Sequence, residues 1–292
     1  MCRWLTYFLL ALLLSPFSEL TAGDLNNMRK DLHSDSSAKP AKAPPRNDSS
    51  RHEECHSGSS SHSFNDDDDD LSSQLFGLGL AGVGLGLASP FWAPHAALSD
   101  DLDRNSWFPK HPYEEIDGAL AFDETVKGTH SSLIVLQGVY GTDLSDLMLF
   151  NGRATLEHSS RFGIDTELTS RAEKIEGGGH DQIWNGDFNV TYRFAQSKHW
   201  LFRTGLGVNW LGDHEHVDVG FNFTYGAEWF PIEPLVITGT IDWGRIADAG
   251  LFHGRTTIGV TRNGWGVFTG YDHFRISDSA SNTWINGIEL RF

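Results

Sequence analysis

The residues best suited to chemistry lie in one short polar stretch, residues 212–218, with the sequence GDHEHVD. It brings together Asp213, His214, Glu215 and His216. A carboxylate beside an imidazole can activate a water molecule or bind a divalent cation. No protease or deacylase motif surrounds these residues, however, and acidic loops with histidine are ordinary solvated surface. Asp213, His214 and His216 therefore form a candidate loop site to which we assign no catalytic residue and no metal.

Two other patterns resemble ligand sites without their structural setting. The stretch HEECHSGSSSH, residues 52–62, groups three histidines with Cys55 inside a low-complexity polar tract, whereas a metal site needs fixed geometry and supporting partners. Gly77, Gly79 and Gly82 have the spacing of a dinucleotide-binding turn, but neither a strand before them nor a helix after them is indicated. We predict no cofactor.

Composition excludes one class of partner. The formal net charge of −17 gives no basic surface for phosphate groups, so we expect no nucleic-acid partner. Two cysteines provide no disulfide framework. Ten Trp and 19 Phe beside 31 Gly suit strands and tight turns.

The first 130 residues divide into three segments. Residues 1–22 have Arg3, an apolar core and small residues up to Ala22, which is typical of a cleaved signal peptide; a permanent membrane helix would need a longer apolar run. Residues 23–74 are polar and predicted to be disordered. Residues 75–130 combine a Gly-rich apolar stretch with an irregular lead-in. That stretch is interpreted as lying against a membrane or a partner, with a single-pass helix as the alternative.

From residue 131 onward the sequence alternates apolar and polar residues. In IWNGDFNVTYRF, residues 183–194, the row Trp184, Phe188, Val190 and Tyr192 faces away from the polar row. The stretches HWLFRTGLGVNW and VDVGFNFTYGAEWF repeat the pattern. Strands of ten to fourteen residues with aromatics at their ends are typical of tilted membrane-spanning strands, although a soluble sandwich also has two-sided sheets.

The ending WINGIELRF supplies a resemblance to a known family. Phe292, Leu290, Ile288 and Trp284 share one face of a strand that ends on an aromatic, although Asn286 interrupts the apolar row. Residues 131–292 resemble a Gram-negative outer-membrane β-barrel, small and OmpA-like or porin-like, whose last strand carries an assembly signal. The resemblance implies outer-membrane lipids and the barrel-assembly machinery as partners.

The predicted fold is all-β: a closed antiparallel up-and-down transmembrane β-barrel at residues 131–292, preceded by a disordered N-terminal region. We predict ten strands, with eight as the alternative, because residues 131–141 are apolar on both sides and could form a plug. Turns such as 230–234 are short and loops such as SDSASN longer. The family rule then places both termini in the periplasm.

An inward polar row follows from the same alternation. Both signs of charge occur in it, which favours a lattice of ion pairs filling a narrow lumen over a water-filled pore. Its members are Asp165, Glu167, Arg171, Asp187, Arg193, Arg203, Asp218, Glu228, Asp242, Arg255, Glu289 and Arg291.

The expected function is that of an integral outer-membrane protein with a structural, small-solute channel or surface-interaction role. One alternative is an outer-membrane barrel enzyme, a protease or lipid-modifying hydrolase, with its site in the extracellular loops. A second alternative is a soluble lipocalin-like binding barrel, whose apolar row would point inward around a ligand.

Overall fold

The computed structural model describes residues 24–34, 90–98, 100, 104–114, 116–175, 179–213 and 216–292. The predicted signal peptide and nearly all of the Gly-rich stretch lie outside the described residues. Two short strands, β1 (Phe108–Pro109) and β2 (Thr129–His130), pair with each other ahead of the main sheet.

The main sheet is a closed antiparallel barrel of ten strands, in which each strand pairs with the next in the chain and the last pairs with the first. The predicted fold and strand number are confirmed. The eight-strand alternative is wrong, because residues 132–142 pair with the following strand along their whole length. The strands are β3 (Ser132–Thr142), β4 (Leu147–His158), β5 (Phe162–Lys174), β6 (His180–Gln196), β7 (Trp200–Gly212), β8 (Val217–Trp229), β9 (Leu235–Ile246), β10 (Ala249–Arg262), β11 (Trp265–Ile276) and β12 (Ser279–Arg291).

The seam between β12 and β3 closes the barrel. It runs from the pair Trp284 and Thr142 to the pair Arg291 and Val135. Just beyond it, the Phe292 N–H donates to the Ile134 carbonyl at 2.9 Å, and the Ile134 N–H donates to the Phe292 carbonyl at 3.1 Å. The backbone of the last residue therefore takes part in closure.

We call the end of the barrel that holds residue 131 and Phe292 the terminal end, and the other the distal end. Connections at both ends are two to five residues long. The prediction of longer loops at one end is wrong, because the polar residues of SDSASN mostly belong to β12, which already begins at Ser279. At the terminal end, Asn263 and Gly264 form a two-residue turn with φ of 51° and 80°, as a type I′ hairpin requires.

The outer face of the barrel is apolar. Side chains at its middle are 58% exposed at Leu206, 54% at Val190 and 53% at Ile288, and none of the described residues packs over them. All seven tryptophans of the barrel strands share this outward parity: Trp184, Trp200, Trp210, Trp229, Trp243, Trp265 and Trp284.

Aromatic side chains form a belt near each end of this face. Trp200 and Trp210 lie ten residues apart on β7, which at about 3.3 Å per residue and a tilt of about 40° separates the belts by about 25 Å. That height matches the apolar band of membrane barrels. Phe162, Tyr192, Trp200, Trp229, Trp265 and Phe292 form the terminal belt, and Tyr140, Phe150, Trp184, Trp210, Trp243 and Trp284 the distal belt.

Two helices flank the barrel. The N-terminal helix, Asp24–Ser34, sits in the distal mouth, so the prediction of disorder is wrong for these residues. It buries Leu25, Met28 and Leu32, which one helical face presents together, against barrel side chains. A second helix, residues 90–98, lies on the outer face, where the Phe91 and Phe194 ring centroids are 5.6 Å apart. Neither described helix has the length and hydropathy needed to cross a membrane.

Substitution on the outer face tests whether it meets lipid. We expect Leu206→Arg, at the middle of β7, to destabilise the barrel in bilayers by about 2–4 kcal/mol, since a cation would enter hydrocarbon. Val217→Arg, at the distal edge and 66% exposed, is the matched control with an expected cost of about 0–1 kcal/mol. Urea unfolding in lipid vesicles measures both. Equal costs would mean that the face contacts water.

Candidate functional site: the charged lumen and its two mouths

The sequence-derived polar row faces the interior of the barrel. Eleven of its twelve residues lie along the lumen, and Asp218 lies at the distal mouth, where it is partly exposed. Most are buried; for example, Arg171 is 0% and Arg193 2% exposed. The interior therefore holds charge where a soluble barrel would hold its apolar core. The soluble lipocalin-like alternative is wrong, because the apolar rows face outward.

A central network is organised around Asp272 of β11, whose side chain is 1% exposed. Its carboxylate accepts from Arg255 Nε at 2.9 Å and Arg171 Nη2 at 3.2 Å, and it lies 2.7 Å from His253 Nε2. Arg255 also donates to Glu167 at 2.8 Å. Three strands, β5, β10 and β11, thus share one set of charges across the lumen.

The central network extends to the neighbouring strands β4 and β9. Arg153 of β4 forms an ion pair with Asp165 at 2.8 Å, and His253 Nδ1 lies 3.4 Å from the Asp242 carboxylate. Asp187, by contrast, accepts its hydrogen bond from the amide of Asn189 at 2.9 Å. The network is therefore a mixture of ion pairs and neutral donors that satisfy the remaining carboxylate oxygens.

A second network lies nearer the terminal end. Glu157 pairs with both Arg193 and Arg203, the latter at 3.0 Å. Glu228 pairs with Arg203 and, at 3.0 Å, with Arg291 of the last strand. Arg291 Nε also donates to Glu289 at 2.6 Å. This network ties the closing strand to the middle of the sheet through side chains.

Sequence reasoning missed four members of these networks: Arg153, Glu157, His253 and Asp272. Each occupies an inward position on its strand, in step with residues that were identified. Arg153 and Glu157 alternate in step with the inward residues Asn151 and Thr155 on β4, and His253 alternates in step with Arg255 on β10. That alternation could have identified them. It was overlooked because glycine and threonine on the outward row weaken the alternation there.

The described residues between 100 and 130 cover the terminal mouth. Asp100 and Arg161 form an ion pair at 2.7 Å in which both side chains are 2% exposed. Phe108 is buried beneath the mouth, and the Arg193 guanidinium lies 5.1 Å from the centre of its ring. The predicted irregular lead-in is thus a packed cap whose hydrogen bonds join the terminal network through Ser106, which accepts from Arg193 Nη2 at 3.0 Å.

Tyr113 fastens this cap to the barrel wall. Its hydroxyl donates to the Leu235 carbonyl at 2.6 Å, and its ring packs against Phe230 with centroids 6.1 Å apart. Burial, aided by the charge of Asp117, raises the pKa of Tyr113 to about 12. The phenol therefore stays protonated and able to donate at any physiological pH.

The N-terminal helix fills the distal mouth. Arg29 donates to Asp181 Oδ1 at 2.6 Å and to Asp213 Oδ2 at 2.8 Å, which links the start of β6 to the β7–β8 connection. The hydrogen bond to Asp181 raises the pKa of Arg29. The Leu25 N–H, near the start of the helix, donates to Glu173 at 3.1 Å. The helix is held by charge at the rim and by apolar contact below.

The candidate loop site is divided by this arrangement. Asp213 pairs with Arg29, and its carboxylate also accepts from the backbone N–H of His216 at 2.9 Å. His214 lies outside the described residues. In the part of the chain that the structure describes, no group of three or more His, Cys, Asp or Glu side chains could hold a metal ion. In this geometry Asp213 binds the guanidinium of Arg29, which belongs to the same chain.

Comparison with known proteins finds a distant similarity to solved membrane barrels. No protein-family model matches the sequence, and the curated proteins contain no significant match. The chain is similar to the outer membrane protein Ail of Yersinia pestis, with 12% identity and a TM-score of 0.32 over 56% of this chain and 100% of Ail. The KdgM porin is 10% identical, with a TM-score of 0.29 over 54% of this chain and 99% of the porin. Neisserial surface protein A is 8% identical, with a TM-score of 0.31 over 56% of this chain and 98% of that protein.

Similarity at that level carries no argument about activity, so the class of this protein rests on its own geometry. The sheet is closed, the strand number is even, the outer face is apolar between two aromatic belts, and the lumen is ionic. These features define an integral membrane β-barrel of the outer-membrane type. The family resemblance noted in the sequence is confirmed at the level of architecture.

Removal of one central carboxylate tests the network. Asp272→Ala leaves Arg171, Arg255 and His253 without their shared partner, and we expect a loss of about 3–5 kcal/mol in unfolding free energy. Asp248→Ala removes the partner of Arg245 from an ion pair that is about two-thirds exposed, so its expected cost is about 0–1 kcal/mol. Urea titration of both variants in vesicles checks this. A cost below about 1 kcal/mol for Asp272→Ala would refute the network.

Proposed function

We propose that this protein is an integral protein of a Gram-negative outer membrane whose barrel is a sealed scaffold for surface interactions. The observation that supports this most directly is the ionic, side-chain-filled lumen inside an apolar outer face. A scaffold needs a stable wall, and the charges that pair across the lumen stabilise it. The terminal cap and the N-terminal helix add a cover at each mouth.

Two features favour a scaffold over a small-solute channel. Arg171, Arg193 and Asp272, each at most 2% exposed, reach into the lumen and pair across it. The mouths are covered by packed apolar clusters that include Phe108 and Phe230 at one end and Met28 at the other. Ten strands also leave little interior space beyond these side chains.

The enzyme alternative has less support. A hydrolase of this kind needs a carboxylate and an imidazole placed to activate one water molecule. Asp213 instead neutralises Arg29, and Asp181 does the same from the start of β6. We therefore place the role of the distal loops in binding, and develop that role below.

Orientation and assembly complete the proposal. We propose that the terminal end faces the periplasm, where the cap would be delivered by an exported chain. Phe292, Leu290, Ile288 and Trp284 would then serve as the signal that the assembly machinery reads. The outward-facing Phe292 side chain, 63% exposed, is free for such recognition while its backbone is used in closure.

Conductance measurements test the sealed lumen. We expect the full-length protein in planar lipid bilayers to give no steady conductance steps, because paired side chains occupy the pore axis. A general porin reconstituted under the same conditions is the positive control. Stable, reproducible steps from the unmodified chain would contradict the scaffold and favour the channel.

The assembly signal is tested at its last residue. We expect Phe292→Ala to lower the amount of folded barrel in the outer membrane several-fold, while the purified variant still refolds into a barrel that migrates faster on unboiled gels. Trp265→Ala, an equally exposed aromatic of the terminal belt, is the control and should leave the amount unchanged. Equal losses for the two variants would assign Phe292 to the belt alone.

A further inference from the structure

The inner wall of the barrel changes character toward the distal end. The central layers are ionic, whereas the layer beneath the N-terminal helix is apolar and buried. If the distal mouth were open, these apolar side chains would be exposed to water, which is unfavourable. They are Leu147, Ile183, Leu211, Ile246, Leu251, Phe274 and Ile276.

Acidic groups surround this apolar floor. Glu173, Asp181 and Asp213 contact the N-terminal helix, and Asp218 lines the same small space beside Arg29. The distal turns add further carboxylates at Asp143, Asp146, Asp248 and Asp278, whereas Lys174, Arg245 and Arg275 are the basic residues of the described distal rim. The mouth therefore attracts positive charge at its edge and apolar groups at its base.

The bound helix shows which ligand fits. Leu25, Met28 and Leu32 point into the floor at the spacing of one helical face, while Arg29 pairs with a carboxylate at the start of β6 and another in the β7–β8 connection. The ligand class is thus a short helix with apolar residues on one face and a cation beside them.

The described contacts of this helix are of three kinds. Three apolar side chains pack on the floor, Arg29 pairs with two carboxylates, and the Leu25 N–H donates to Glu173. The helix is part of the same chain, which raises its effective concentration at the mouth. An occupant that is docked through noncovalent contacts can be exchanged for an external ligand of the same chemistry.

We propose that the distal mouth is a binding site for an amphipathic helix of a partner polypeptide with a basic residue beside its apolar face, for which Asp24–Ser34 is the competing occupant within the chain. Release of the N-terminal helix exposes the floor and the acidic rim together. The partner then places its apolar face on the floor and its cation between Asp181 and Asp213. This inference specifies the surface interaction proposed above and rests on it.

Thiol labelling of the full-length protein in lipid vesicles tests occupancy. In a Cys2→Ser, Cys55→Ser background, Met28→Cys reports the buried face of the helix and Asn27→Cys its exposed face. We expect a maleimide to label Met28→Cys at least about tenfold more slowly than Asn27→Cys. Equal rates would overturn the docked helix and, with it, the proposal.

Competition tests the exchange. The probe is a capped synthetic copy of residues 24–34, DLNNMRKDLHS, at millimolar concentration, with an Arg29→Glu copy as its matched control. We expect the first peptide to accelerate labelling of Met28→Cys at least about fivefold and the control to leave it unchanged. No acceleration by either peptide, or equal acceleration by both, would overturn the proposed site. Migration of the same samples on unboiled gels reports separately whether the barrel itself is folded.

Discussion

A sheet that spans hydrocarbon has no water to satisfy its backbone, so each N–H and C=O must find a partner inside the protein. Closure of the barrel meets this requirement, and the seam between β12 and β3 is where it is completed. The hydrogen bonds between Phe292 and Ile134 extend the seam to the last residue of the chain. An even number of strands follows from antiparallel closure, and the reversal of polarity follows from the hydrocarbon that surrounds the sheet.

Reversal of polarity moves charged groups into the centre, where an unpaired ion is costly. In the central network, Asp272 pairs with Arg171, Arg255 and His253. In the terminal network, Arg291 of the last strand pairs with Glu228. Side-chain pairing across the lumen thus reinforces the backbone closure. Toward the distal end the wall becomes apolar, and the N-terminal helix supplies the missing contact there. The interior of the barrel is therefore filled by ion pairs at its centre and by apolar contacts at its distal end.

Much of the fold could be predicted because alternation with period two is a local property. The outward row around Val190 and the inward row around Arg193 are both visible in one stretch of sequence. Arg153 and His253 were missed where the small outward residues Gly152 and Gly254 weaken that period. The N-terminal helix was missed for another reason: Leu25, Met28 and Leu32 are sparse among polar residues, and their partners belong to strands far along the chain. Loop lengths were misjudged because polar residues such as Ser279 continue into strands.

Tryptophan fluorescence gives the most direct test of an outside that meets lipid. The protein is reconstituted into vesicles whose lipids carry bromine on the acyl chains, and quenching is compared for shallow and deep bromine positions. Because Trp184 and Trp243 lie in the distal belt and Trp200, Trp229 and Trp265 in the terminal belt, the account predicts strong quenching that is greatest for shallow bromine. Emission unaffected by bromine at either depth would place the tryptophans away from lipid and contradict the membrane barrel.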